Sequence, residues 1–171
     1  HTAIEERLKG SGIKWTILRP GLFMQNLVGQ AASIKDAGKI VGAAAKDLKI
    51  AFIDVRDTGA VGARILLDPE PHAGKTYEFT GKLISFGEVA DTFSSVLGKA
   101  VSYVPVTIEQ TEQALKARNL PDWLFTHLLL IAKLMANSSF STENTKPIED
   151  IAKRPPITFK KFIEDFKGVF A

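Results

Sequence analysis

Residues 15–18 read Trp-Thr-Ile-Leu, a run too apolar to leave a face in water, and Pro20 and Gly21 follow close behind. A strand of that kind belongs in a parallel sheet covered by helices, and the Pro-Gly pair ends it. The segments on either side obey the same logic. Residues 3–9 place Ile4 and Leu8 four apart among charged neighbours, a short amphipathic helix that Gly10 and Gly12 end. Residues 22–32 keep helical spacing through Leu22, Asn26 and Gly29, and residues 39–41 and 50–54 read as short strands. Asp54 or Asp57 caps a helix that runs to about Leu67.

Residues 76–81 form a further strand, and the clearest helix comes next. Ser85 and Glu88 make a capping box ahead of the stripe Phe86, Val89, Ala90, Phe93, Val96 and Leu97, and Gly98 stops it. Residues 101–106 are a strand, Thr107 caps a helix to about Arg118, and Pro121 opens a strongly apolar helix over 123–136. Residues 147–153 form a short helix. Thr158 then caps the last one, whose face is Phe159, Phe162, Ile163, Phe166 and Phe170. Strands alternating with helices make the fold α/β, and residues 1–171 suit a single domain.

Composition excludes several classes of function. The 22 basic residues are dispersed among 19 acidic ones, so no stripe for nucleic acid forms. The most apolar run, 123–136, is too short to span a bilayer and holds His127 and Lys133, so no membrane partner is expected. The first ten residues are charged, unlike a signal peptide, and the chain has no cysteine; both fit a soluble, cytoplasmic protein. His1, His72 and His127 lack metal-ligand spacing, and no serine sits in a nucleophile elbow. Neither a G-x-G-x-x-G run nor a P-loop is present, and the strands are too few for a complete doubly wound sheet. The pattern reads as the second part of a larger fold.

The opening HTAIEERLKGSGIKWTILRPGLFMQN resembles the NmrA-like group of atypical short-chain dehydrogenase/reductases. That group includes NAD(P)H-dependent quinone reductases, triphenylmethane reductases and the NmrA regulators. The likeness continues through IDVRDTGAVGARILLD, KTYEFTG, VSYVPV and the terminal RPPITFKKFIEDF. It implies the C-terminal portion of an NAD(P)-binding Rossmann-like fold with its small substrate-binding lobe. The glycine-rich nucleotide-binding half is absent from this sequence and is expected before His1.

The resemblance also assigns roles. His1 falls where the family presents a Lys or His able to bond the nicotinamide ribose or relay a proton, which makes it the catalytic candidate; the alternative is an incidental residue at the chain's end. Arg19, Pro20 and Gly21 stand beside the nicotinamide in the family, and otherwise form a plain strand-ending turn. Phe23, Met24 and Asn26 open the next segment toward the same crevice, with core packing as the alternative for the apolar pair. Leu128 and Ile131, on the all-round apolar helix, wall the substrate pocket or are buried in protein.

The function implied is the substrate-binding portion of an NAD(P)H-dependent oxidoreductase acting on quinone-like or aromatic acceptors. An NmrA-type regulator that senses dinucleotide without catalysis stays open, as does an inactive association module. NADP or NAD is the cofactor of the intact parent, and this chain alone is expected to bind none. An uncovered edge on strand 15–18 invites pairing, so a homo-oligomer is expected.

Overall fold

Of the Trp-Thr-Ile-Leu run, Thr16, Ile17 and Leu18 enter a strand that begins one residue later than the run and continues through Pro20. In the computed structural model, which describes residues 2–171, helix α1 (Thr2–Lys9) precedes strand β1 (Thr16–Pro20). A proline at a strand's last position forfeits one ladder donor only, so it is tolerated there. β2 (Leu22–Phe23) follows, then a 3-10 helix (Met24–Gln30) and α2 (Ala31–Ala37). Next come β3 (Lys39–Gly42), β4 (Lys49–Ile53) and α3 (Val55–Leu67). A short 3-10 turn (Glu70–His72) leads to β5 (Lys75–Phe79), β6 (Leu83–Ser85), α4 (Phe86–Leu97) and β7 (Ser102–Pro105). Five helices close the chain: α5 (Ile108–Lys116), α6 (Asp122–Ala136), α7 (Lys146–Ala152), α8 (Phe159–Asp165) and α9 (Lys167–Phe170).

The strands pair in three groups. β1 lies parallel to β5, with Ile17 opposite Thr76 and Arg19 opposite Glu78. β4 runs between β2, parallel to it, and β6, antiparallel to it, while β3 pairs parallel with β7. Among the described residues β1 has a strand on one side only.

Two expectations about this region need correction. Residues 22–32 are not one helix, because Leu22 and Phe23 pair with Phe52 and Ile53 before the chain turns. A long-range ladder overrides local helical spacing there. β6 is an addition to the strands expected, since three residues are too few to show a period. The caps fall as read: Ser85 and Glu88 bond reciprocally at α4, and Gly98 ends it in the left-handed region at φ 69°. Of the two aspartates, Asp54 is the cap of α3.

Two apolar clusters hold the layers together. The larger lies under α4, α8 and α9, where Phe52, Phe86, Phe93, Phe159, Phe162 and Phe170 meet Ile34 and Ile40. Phe86 stacks on Tyr103 at 4.5 Å, and the Tyr103 hydroxyl donates to the Ala44 carbonyl at 2.8 Å. The smaller cluster joins β4 and β5 to α3 and α7 through Ile53, Val61, Ile65, Phe79 and Ile148. Phe166, expected inside, is only half-buried: its ring leans on Phe162 while the Arg56 guanidinium lies 5.7 Å above it. For the apolar helix α6 the sequence leaves two readings open, burial in protein or a wall on a ligand. None of its residues is buried among the described residues, and Trp123 is 71 % exposed.

Candidate functional site

The carboxyl ends of β1 and β5 meet β4 at a crossing built on two glycines. The Gly21 amide donates to the Phe79 carbonyl at 2.9 Å. A Cβ on Gly21 would stand 2.8 Å from Thr80 Cγ2 and 3.3 Å from the Ala51 carbonyl oxygen. One on Gly81 would overlap the Phe52 carbonyl oxygen. Backbone therefore passes backbone here with no room for side chains. Residues 140–144 stitch the crossing from outside: the Ala51 amide donates to the Phe140 carbonyl and the Thr80 amide to the Asn144 carbonyl, each at 2.8 Å. The Asn144 amide returns a bond to Thr80 Oγ1 at 2.8 Å.

A polar cluster sits where β4 turns into α3. Asp54, fully buried, accepts from the Arg56 amide at 2.9 Å and from the Arg56 guanidinium at 2.9 and 2.7 Å. Burial disfavours its charge, but these bonds prevail and hold its carboxyl below the usual range. Arg56 also reaches Asp165 of α8 at 2.6 Å. Gln25 Oε1 accepts from the Val55 amide at 3.0 Å and covers the same helix end. Asp57, equally buried, accepts from the Ile157 amide at 3.0 Å and lies 2.6 Å from Arg154 Nη1. Here burial prevails over those two partners, and the carboxyl is pushed up.

Of the residues singled out in the sequence, His1 lies outside the described residues. Arg19 is exposed and clamped between two carboxylates, Glu5 at 2.6 and 3.0 Å and Glu78 at 2.6 Å. Those bonds, the Glu5 pair first, raise its pKa further, and its charge is spent tying α1 to the sheet. It lines an open, polar bay of about 510 Å³ together with Lys9, Thr76, Tyr77, Glu78, Asn144 and Pro147. Pro20 pairs with Phe79 inside β1, and Gly21 belongs to the crossing.

Phe23 and Met24 point to different sides. Phe23 is half-buried against the smaller cluster, whereas Met24, 3 % exposed, is part of the larger core. Asn26 is exposed; Leu128 and Ile131 are half-buried on α6, Ile131 against the larger core. The sequence reading missed Thr80, Asn144, Gln25 and Arg154. Their partners are distant in the chain, and the only local signal was Gly81 following a good strand.

The N-terminus of α3 is not a free anion site. That terminus, which follows β4 directly, is filled by the Asp54 carboxylate and backed by Asp57. That helix end is therefore already capped from within the chain, with Arg56 pairing Asp54 and Arg154 pairing Asp57. Nor do the described residues contain a group of three or more His, Cys, Asp or Glu able to hold a metal ion. No described helix is long and apolar enough to cross a membrane.

Residues 1–164 match the NmrA-like family. The chain belongs to that family. It is 30 % identical over 167 residues to the NAD(P)H azoreductase of Xenophilus azovorans, covering 97 % of this chain and 57 % of the relative. It aligns with the NADPH-dependent quinone oxidoreductase of Escherichia coli complexed with NADPH at a TM-score of 0.81 and 28 % identity, over 98 % of this chain and 58 % of that one. The negative transcriptional regulator NmrA in complex with NADP aligns at a TM-score of 0.69 but 14 % identity, over 96 % of this chain and 56 % of that one; with it this chain shares the fold alone. This NmrA-like chain therefore spans somewhat more than half the length of its relatives. The α/β architecture is that of the Rossmann-like NAD(P)-binding proteins.

Proposed function

We propose that this chain is the acceptor-binding part of an NAD(P)H-dependent oxidoreductase acting on quinone-like or aromatic acceptors. The observation that carries the reading is the similarity at 28–30 % identity to two NAD(P)H-dependent reductases through nearly all of this chain. The regulator alternative draws on a likeness of fold at 14 % identity.

In this reading the hydride comes from NADP or NAD held chiefly by residues beyond this chain. This chain's own work is to bind and orient the acceptor. The backbone of Arg19, Pro20 and Gly21 at the carboxyl end of β1 stands beside the nicotinamide, Phe23 and Asn26 open toward the same crevice, and Leu128 and Ile131 of α6 offer the apolar wall. His1 is proposed as the proton-handling group. A homo-oligomer in a reducing cytoplasm, suited to a chain without cysteine, belongs to the same reading.

Steady-state oxidation of NADPH and NADH by the product of the whole open reading frame, with menadione as acceptor, tests it. Turnover that saturates in menadione is the expected result. Dinucleotide binding without turnover would favour the regulator, and neither binding nor turnover would contradict both.

A further inference from the structure

Helix α6 has three apolar sides, and the fold uses two of them. Ile131 and Met135 lie on the larger core, and Phe125 turns toward α5, beside Leu115 and Leu120. The third side carries Trp123, His127, Leu130 and Leu134, spaced three and four apart so that they form one row. Trp123 is 71 % exposed and Leu130 51 %, while His127 is exposed and Leu134 half-buried. Large apolar side chains aligned in water, a tryptophan foremost, mark a contact surface.

That row is complementary to itself. Its middle falls between Leu128 and Leu129, with Trp123 as far to one side as Leu134 to the other, and His127 as far as Leu130. A second copy of α6 laid antiparallel about a two-fold axis at that point sets Trp123 on Leu134 and His127 on Leu130, each pair twice. Charge follows the same symmetry. Asp122 and Lys133 precede Trp123 and Leu134 by one residue each, so they stand on the same flank of the row. Asp122 of one copy then comes level with Lys133 of the other. Neither makes an ion pair among the described residues; Glu112 of α5, close enough to feel Lys133, is paired to Lys116 at 2.6 Å. We infer that α6 is the contact between two copies of this protein, packed antiparallel about that axis, with the Asp122–Lys133 pair made twice. This row lies beside Leu128 and Ile131 and does not depend on the acceptor-binding reading.

Sedimentation velocity of the product of the whole open reading frame tests it. The parent should dimerise with a dissociation constant in roughly the micromolar range, since one helix from each copy makes a small interface. Leu130→Glu puts a charge next to the axis at a half-exposed site, so the melting temperature should hold while dimerisation weakens about tenfold or more. Asp122→Lys and Lys133→Asp should each weaken it severalfold, and the two together should restore it. The double variant also has the charges that suit the two ends of α6 least. Recovery there therefore reports the pairing between copies and not the stability of the helix.

A parent that stays monomeric at about 100 μM would overturn the inference. So would a dimer indifferent to Leu130→Glu, which would be held elsewhere, the free edge of β1 included. A double variant no better than the single charge variants, or single variants no weaker than the parent, would overturn the antiparallel pairing.

Discussion

Gly21 cannot take a side chain unless Thr80 moves. Gly21→Ala should destabilise the protein by about 1–3 kcal/mol through overpacking. Adding Thr80→Ser, which removes the methyl group in the way, should return part of the loss. Denaturant midpoints read both, and a midpoint unmoved by Gly21→Ala would show that the crossing is looser than described. Asp57 and Arg154 make a second residue-level case. Arg154→Met strands a buried carboxylate, at a cost of about 3–5 kcal/mol near neutral pH. The sign with pH follows from linkage. Asp57 has a raised folded pKa, so its unfavourable contribution is absent below the unfolded value, grows as pH rises from there to the folded one, and is constant above it. Asp54, whose folded pKa is lowered, contributes stability above its unfolded value that is lost as pH falls through the folded one. Without Arg154 the first effect enlarges. The deficit of Arg154→Met relative to the parent should therefore shrink as pH drops from neutral toward the carboxylate range. Melting curves at several pH values would show it; a deficit that stays constant would contradict the assignment.

Helix α8 shows how burial, rather than aromatic identity, sets the stakes within one element. Phe162 is fully buried and meets Phe159 at 5.7 Å and Phe170 at 6.1 Å edge to face. Phe162→Ala should cost about 3–5 kcal/mol, and half-buried Phe166→Ala clearly less. Equal losses would mean that both rings are equally packed. The elements that were legible in the sequence share this property of self-sufficiency. Ser85 with Glu88, the stripe of α4 and Gly98 specify a helix from start to stop within a few residues, and Thr158 with the phenylalanine face does so for α8. Leu22 and Phe23 carry no such local statement, since their strand exists only because Phe52 and Ile53 lie alongside. β6 depends in the same way on β4. α6 was legible as a helix, but its apolar circumference left burial and a ligand wall open alike, and none of its residues is buried among the described residues.

For the molecule as a whole, the α/β order and the family could be read from the sequence, while the crossing at Gly21 and Gly81 and the Asp57–Arg154 contact could not. Each joins residues far apart in the chain, and periodicity reports neighbours only. One side of β1 is without a strand among the described residues, and Ile4, Ile13 and Leu66 are 70, 61 and 82 % exposed. Such a surface should associate, so sedimentation at micromolar concentration is expected to show a dimer of this chain, and a stable monomer would contradict that expectation.

The acceptor-binding role is tested most directly by Leu128→Ala combined with Ile131→Ala in the product of the whole open reading frame. Cutting back two apolar side chains that wall an acceptor pocket should raise KM for menadione about tenfold or more, with KM for NADPH unchanged. Unchanged KM for menadione, or an equal rise for both substrates, would show that α6 does not touch the acceptor.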